Sequence, residues 1–343
     1  MTKPQSLYRY RPCDDGILER EVEALEQSYL FAPPFSAMND PMEAFLEVGD
    51  EVDQLFIQLA PQAADALNHF YGVVTRFVEK TALISFSQNH EALPLWAYYA
   101  SNFAGFCLEF DPLALHYGAL QGDQLHQVTY AERALPALSM QEMFRSREQV
   151  GPVVTSRLTR KRHEWAHEQE WRYITGVVGP KHYLDSALTR VFLGPRMAPA
   201  HAKRICAALK GRPVDILQGT ISGYHLRFDL LQAATPPKQC PRVGIGRFRP
   251  DVDLFSNAEL AAFLKVPFEE LVHECERLDA DPNMDGFADI GISAEHPDCL
   301  FIWTRYALRN NRPIHWRRWY DSRMRQVDAE DRHGQRTGKH GTH

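Results

Sequence analysis

The ten residues His163-Glu164-Trp165-Ala166-His167-Glu168-Gln169-Glu170-Trp171-Arg172 constrain this chain more than any other stretch, because they can be folded in two incompatible ways. Counted from His163, the pattern is H-E-x-x-H. On an α-helix that spacing sets the imidazoles of His163 and His167 one turn apart, able to hold zinc, with Glu164 as base. Counted from Glu168, the pattern is E-x-E running into the alternating stretch Glu170 to Thr175. Two acids at i and i+2 on extended backbone point to one side of the chain. That geometry suits one carboxylate to a sugar hydroxyl and its neighbour to a nucleophile. A plainer alternative stands beside both: Glu170 and Arg172 share the same face and form a surface ion pair.

The flanking pattern favours strands interrupted by helices. Thr81 to Ser87 and Phe106 to Phe110 alternate with period two, as do Trp171 to Val178 and Arg190 to Leu193. Leu7 to Pro12 is a short aromatic and basic strand closed by proline, and Val214 to Leu231 reads as a hairpin turning near Ser222-Gly223. Helical periodicity appears over Ile17 to Tyr29, Glu51 to Lys80, Leu95 to Asn102, Ser139 to His167 and Ala200 to Leu209. In Asn39-Asp40-Pro41-Met42-Glu43, Asp40 suits an N-cap, Pro41 the first turn and Glu43 a capping box. Strands and helices alternate without a strict βαβ rhythm, which predicts an α+β fold with a mixed sheet.

A chain of 343 residues supports more than one unit. The run Ala233 to Pro241 shifts in composition and marks a linker, taken as 236–241, after a first domain of 1–235. Residues 242–324 are expected to form a smaller, mostly helical unit, and 325–343 a disordered tail. A net charge of -6 argues against a general nucleic-acid coat. The segment around Arg309, Arg312, Trp316, Arg317, Arg318 and Trp319 nevertheless mixes arginine with tryptophan, as a surface meeting protein or nucleic acid would. The competing reading has the arginine stems covering apolar surface. Six scattered cysteines without a C-x-x-C pair, no basic-then-apolar leader and no long apolar run predict a cytoplasmic protein that does not enter a membrane.

Several pieces resemble one bacterial family in order and spacing, that of domain-of-unknown-function number 2971. They are Leu7 to Arg11, Asn39-Asp40-Pro41 with Glu43, and Ser85-Phe86-Ser87. They continue with Leu95 to Ala100 leading to Gly105 to Phe110, then Trp165, Glu168, Glu170 to Arg172, and the turn after Val191 to Gly194. The resemblance covers about residues 7–231. That family is similar, distantly, to ADP-ribosyltransferases such as the DarT-like toxin and phage-defence enzymes. The resemblance implies a split mixed β-sheet with helical insertions, holding NAD as substrate in the cleft and needing no metal. It implies that Tyr8, Arg9, Tyr10 or Arg11 on the first strand, Ser85 and Ser87 on the second, and Trp96 contact the nucleotide. It implies further that Glu170 is the catalytic glutamate with Glu168 its helper. The chain departs from the family pattern in carrying Ser-Phe-Ser where many members have Ser-Thr-Ser. Two alternatives stay open: a zinc metallohydrolase using His163, Glu164 and His167, for which Asp185 is an available third ligand, and a nucleotide-sensing or interaction module without chemistry.

Overall fold

The computed structural model describes residues 4–38, 40, 49, 51–118, 120–139, 150–254 and 257–327. The strands in chain order are β1 (Leu7–Arg11), β2 (Tyr29–Ala32), β3 (Ala82–Ser87), β4 (Phe106–Phe110), β5 (Gln124–Gln127), β6 (Thr129–Ala131), β7 (Arg160–Arg162) and β8 (Glu170–Thr175). They continue as β9 (Gly179–His182), β10 (Leu188–Leu193), β11 (Asp215–Ser222), β12 (His225–Gln232), β13 (Met284–Ile292), β14 (Leu300–Ala307), β15 (Pro313–Tyr320) and β16 (Gln326–Val327). The chain divides into two compact units. The first holds residues 1–183, 187–209 and 214–233; the second holds 184–186, 210–213 and 234–343.

The first unit is built on an eight-stranded sheet in the order β12-β11-β10-β4-β1-β3-β8-β5. Only β10 and β11 run parallel among its neighbouring pairs, so the sheet is mixed. β4 lies at its centre and is buried at every position, which requires cover on both faces and explains why Phe-Cys-Leu-Glu-Phe is almost wholly apolar. One cluster gathers Tyr10, Trp96, Ala100, Cys107 and Phe192, with Phe103 and Phe228 packed against it. A second joins Val74, Leu138, Val153, Val154 and Leu158. Each large apolar side chain fully buried in these clusters contributes roughly 1.5–3 kcal/mol.

β1 pairs with β4 along its whole length, from Leu7↔Phe110 to Arg11↔Phe106. With β3 it shares a single pair, Tyr8↔Ser87. The two strands therefore part in the middle of the sheet. β3 instead aligns with β8 throughout, from Ala82↔Thr175 to Ser87↔Glu170.

The helix Leu93–Tyr99 ends in three consecutive residues of left-handed backbone, Ser101, Asn102 and Phe103. The chain then turns back so tightly that a Cβ on Gly105 would lie 2.2 Å from Arg11 O, and one on Gly194 2.2 Å from Phe103 O. Both obstacles are backbone and cannot swing aside. Gly105→Ala is therefore expected to destabilise the first unit by about 1–3 kcal/mol, the range for an overpacked core. Chemical denaturation measures this, and an unchanged midpoint would refute the close-packing account.

Three sequence expectations need correction. Among the described residues of the helical region expected over Ser139 to His167, the helix is Val150–Leu158; β7 follows, then a 3-10 turn at His163–Glu168. Residues 140–149 lie outside the described residues. The second unit is not mostly helical. Alongside helices at Pro250–Asp253, Asn257–Phe263 and Phe268–Asp279 it carries a four-stranded antiparallel sheet, β13-β14-β15-β16. β14 and β15 alternate strictly, with Leu300, Ile302, Thr304, Tyr306, Ile314, Trp316, Arg318 and Tyr320 inward. The inward Arg318, next to the outward Arg317, masked that period. Gln326 and Val327, expected in a disordered tail, pair with Tyr320 and Trp319; 328–343 lie outside the described residues. Among the described residues no helix is long and apolar enough to cross a membrane.

Candidate functional site

A cavity of about 280 Å3 opens where β1 and β3 part. Its lining draws on Tyr8 to Arg11 of β1 and on Leu83, Ser85, Phe86 and Ser87 of β3. Leu95 and Tyr99 of the helix Leu93–Tyr99, the stretch Pro33 to Asp40 in part, and Lys161, Trp165, Glu168 and Glu170 complete it.

The acidic end is a buried network of four charges. Glu168 and Glu170 are 5% and 4% exposed, Lys161 7% and Arg172 0%. Arg172 grips Glu170 in a two-pronged bond, Nε to Oε1 at 2.8 Å and Nη2 to Oε2 at 2.8 Å, and donates from Nη1 to Leu158 O at 2.6 Å. Lys161 Nζ lies 2.5 Å from Glu168 Oε2 and 3.3 Å from Glu170 Oε2, joining the two acids. Tyr99 donates to Glu168 Oε1 at 2.8 Å. Two negative and two positive groups balance, which is the condition for holding charges this deep.

The backbone delivers these groups in an unexpected way. Glu168 closes the 3-10 turn, Gln169 adopts left-handed backbone with φ +47°, and Glu170 begins β8. The acids converge through that kink, not through two extended residues. Ser87 Oγ donates to Glu168 O at 2.7 Å and fixes the kink from β3. On the other side Glu170 N donates to Tyr130 Oη at 2.8 Å, and Tyr130 is the register partner of Lys161 in the parallel β6–β7 pair.

Burial pushes the Glu170 carboxyl up, Lys161 pulls it down, Glu168 pushes it up, and the nearby Ser85 hydroxyl pulls it down; the balance is about 7. Lys161 is raised despite the cost of burial, because Glu170 and Glu168 favour its charged form. Ser85 Oγ is buried, close enough to Glu170 to favour its charged form but without a well-aligned hydrogen bond.

The expected first-strand residues divide. Tyr8 Oη donates to Glu109 at 3.3 Å, and Tyr10 Oη to Asn89 O at 2.8 Å. Arg11 is committed to Glu21 through two bonds, Nε to Oε2 at 2.7 Å and Nη2 to Oε1 at 2.5 Å. Arg9 makes two long contacts of 3.4 Å, to Ser85 O and Phe31 O, across the parting strands. Trp96 is displaced from its expected place. It is fully buried, donates to His90 O at 2.7 Å and stacks beside Phe103 and Phe228, outside the cavity lining. Leu95 and Tyr99, four apart, face the cavity instead, as the helical period requires.

Sequence reasoning missed Lys161, and placed Tyr99 and Trp165 only as motif residues. The spacing of Leu95 and Tyr99 carried a signal for Tyr99. Asp40, expected as an N-cap, lines the cavity; Asn39, Pro41, Met42 and Glu43 lie outside the described residues.

The H-E-x-x-H reading requires α-helical spacing. His163 and His167 stand instead on a 3-10 turn, where three residues make a turn and i, i+4 side chains diverge. Both histidines are exposed, and Glu164 is paired with Arg162. Among the described residues no group of three or more His, Cys, Asp or Glu is arranged to hold a metal ion.

In the second unit, the aromatic and basic segment is split between two faces of β15. Trp316 and Arg318 are buried, with the guanidinium 3.4 Å from the indole centroid. Arg317 is exposed on the other face, over Trp303, Phe301 and Trp319. Arg309 is held by Asp185 in a two-pronged pair at 3.0 and 2.6 Å.

No curated protein and no solved structure matches the chain. Residues 95–173, which carry Tyr99, Lys161, Glu168, Glu170 and Arg172, match the family described as a protein of unknown function, DUF2971.

Proposed function

We propose that this cavity binds NAD and that the protein is an ADP-ribosyltransferase-like enzyme, cleaving the nicotinamide–ribose bond and passing ADP-ribose to a macromolecular acceptor or to water. The observation that carries the reading is the convergence of three separate sequence elements, β1, the Ser-Phe-Ser of β3 and the E-x-E before β8, on one cavity between parting strands. A role as a toxin or antiviral effector rests on the family resemblance.

Breaking the nicotinamide–ribose bond builds positive charge on the ribose, which a fixed carboxylate stabilises. Glu170 is that carboxylate: Arg172 and Lys161 hold it in one orientation, both donating to Oε2, while Oε1 accepts from Arg172 Nε and keeps a lone pair for a ribose hydroxyl. Glu168, tethered to Tyr99 and Lys161, is placed to receive a proton from the acceptor. Arg9, less committed than Arg11, is the residue to meet the pyrophosphate. Ser85, which lines the cavity and whose hydroxyl makes no well-aligned bond, fits a ribose contact.

The direct test is incubation of purified protein with NAD and measurement of nicotinamide release. NAD binding without release would instead favour a nucleotide-sensing module. One observation points that way: the acid pair is already fully balanced by Lys161 and Arg172.

The reading also sets a pH profile. The carboxylate form of Glu170 predominates above about 7. kcat/KM should therefore fall as pH drops below that value, by about tenfold per pH unit well into the acid limb. Lys161→Met removes a cation that holds the carboxyl down, so the limb should move to higher pH. A profile flat from pH 5 to 8, or a limb unmoved in the variant, would count against Glu170 as the titrating group (about 7 in the native site).

A further inference from the structure

The edge of the large sheet points to an interface. β12 ends the eight-stranded order, and among the described residues no strand pairs with its outer side. Proteins usually blunt such edges with proline, lysine or a very short strand. β12 has eight residues, His-Leu-Arg-Phe-Asp-Leu-Leu-Gln, with neither proline nor lysine. Leu230 is 61% exposed, and Leu231 next to it is exposed as well, as are Ile221 and Tyr224 at the hairpin end.

The hairpin fixes which groups point outward. β11 and β12 are joined by a two-residue loop, closed by Ser222↔His225, with Gly223 supplying a positive φ of 61°. The closing pair of such a hairpin is hydrogen-bonded, and bonded pairs then alternate along the ladder. His225, Arg227 and Asp229 thus turn their N–H and C=O groups toward β11. Leu226, Phe228 and Leu230 turn theirs off the sheet.

We propose that β12 pairs antiparallel with β12 of a second copy of this chain, about a two-fold axis through Phe228. In that register Leu226 faces Leu230 of the second copy and Phe228 faces its counterpart, so all six outward backbones are matched and one face is an apolar ladder. On the opposite face Arg227 meets Asp229 of the second copy, twice, as two-fold symmetry requires. Charge selects this register from its neighbours. A slip of two residues one way sets Arg227 against Arg227, and the other way sets Asp229 against Asp229. A slip of one sets outward groups against inward ones.

Sedimentation equilibrium of the full chain at micromolar concentrations tests the interface. Wild type should be dimeric. Arg227→Asp places like charges opposite each other in two pairs and should weaken association roughly 10- to 100-fold. The exchange Arg227→Asp with Asp229→Arg should restore it, since the pairs reform with reversed sign. Both side chains are exposed, so circular dichroism should match wild type; if Arg227→Asp misfolds, Asp229→Arg asks the same question by setting Arg against Arg. A wild type that stays monomeric, a dimer indifferent to these changes, or an exchange variant that fails to recover would each overturn the proposal. None of these outcomes depends on whether the cavity binds NAD.

Discussion

Replacing Glu170 by Gln is expected to slow nicotinamide release from NAD about a hundredfold or more while NAD still binds. Gln keeps the length of Glu and one carbonyl acceptor, so a ribose hydroxyl can still be held. What disappears is the negative charge, which matters only as the ribose becomes cationic. The loss should therefore fall on kcat more than on KM. The neighbouring acid supplies a contrast. Glu168 shares Lys161 with Glu170 but takes its other bond from Tyr99 and has no contact with Arg172 among those described. Glu168→Gln should impair transfer to the acceptor more than hydrolysis of NAD. Thermal melting must accompany both assays, because Arg172 faces the new amide in one variant and Lys161 in the other. Unchanged turnover in a folded Glu170→Gln protein would remove Glu170 from the chemistry and leave it as one half of a structural ion pair.

Much of the framework was legible because it depends on local period and turn chemistry. β3, β4, β10 and the β11–β12 hairpin fall where alternation and Ser222-Gly223 place them. The joining of β1 and β3 to the E-x-E could be expected only through the family resemblance, since nothing local says that β1 abandons β3 after Tyr8↔Ser87. Lys161 shows the limit more sharply. Arg160-Lys161-Arg162 reads as a solvated run on a helix surface, and a lysine is rarely buried. It is buried here because two carboxylates from the next ten residues close around it, a balance that exists only once the fold forms. Trp96 was expected at the nucleotide through the family resemblance, whereas its helical face directs it into the core. Glu170 and Arg172 were anticipated as a pair, but at the surface in the plain reading; the structure buries both.

That burial makes Arg172 the position with the largest expected effect on stability. Arg172→Leu is expected to cost about 3–5 kcal/mol, the range for removing one partner of a buried ion pair. The leucine fills part of the space but leaves Leu158 O without its donor and Glu170 with Lys161 as its remaining counter-charge, one already shared with Glu168. Lysine would not repair the site, since the two bonds to Glu170 and the third to Leu158 O need a planar fork. Two further results separate this account from simple loss of packing. Glu170→Leu added to Arg172→Leu should recover part of the loss, because no carboxylate is then left buried without its partner. Lowering the pH should shrink the penalty of the single variant, because a protonated Glu170 no longer needs a cation, and burial already favours that form below about 7. Denaturation midpoints across pH measure all three proteins. If Arg172→Leu lies within about 0.5 kcal/mol of wild type, as surface substitutions do, the buried network does not hold β8 to the helix end at Leu158, and the rigid carboxylate that the proposed chemistry requires loses its support.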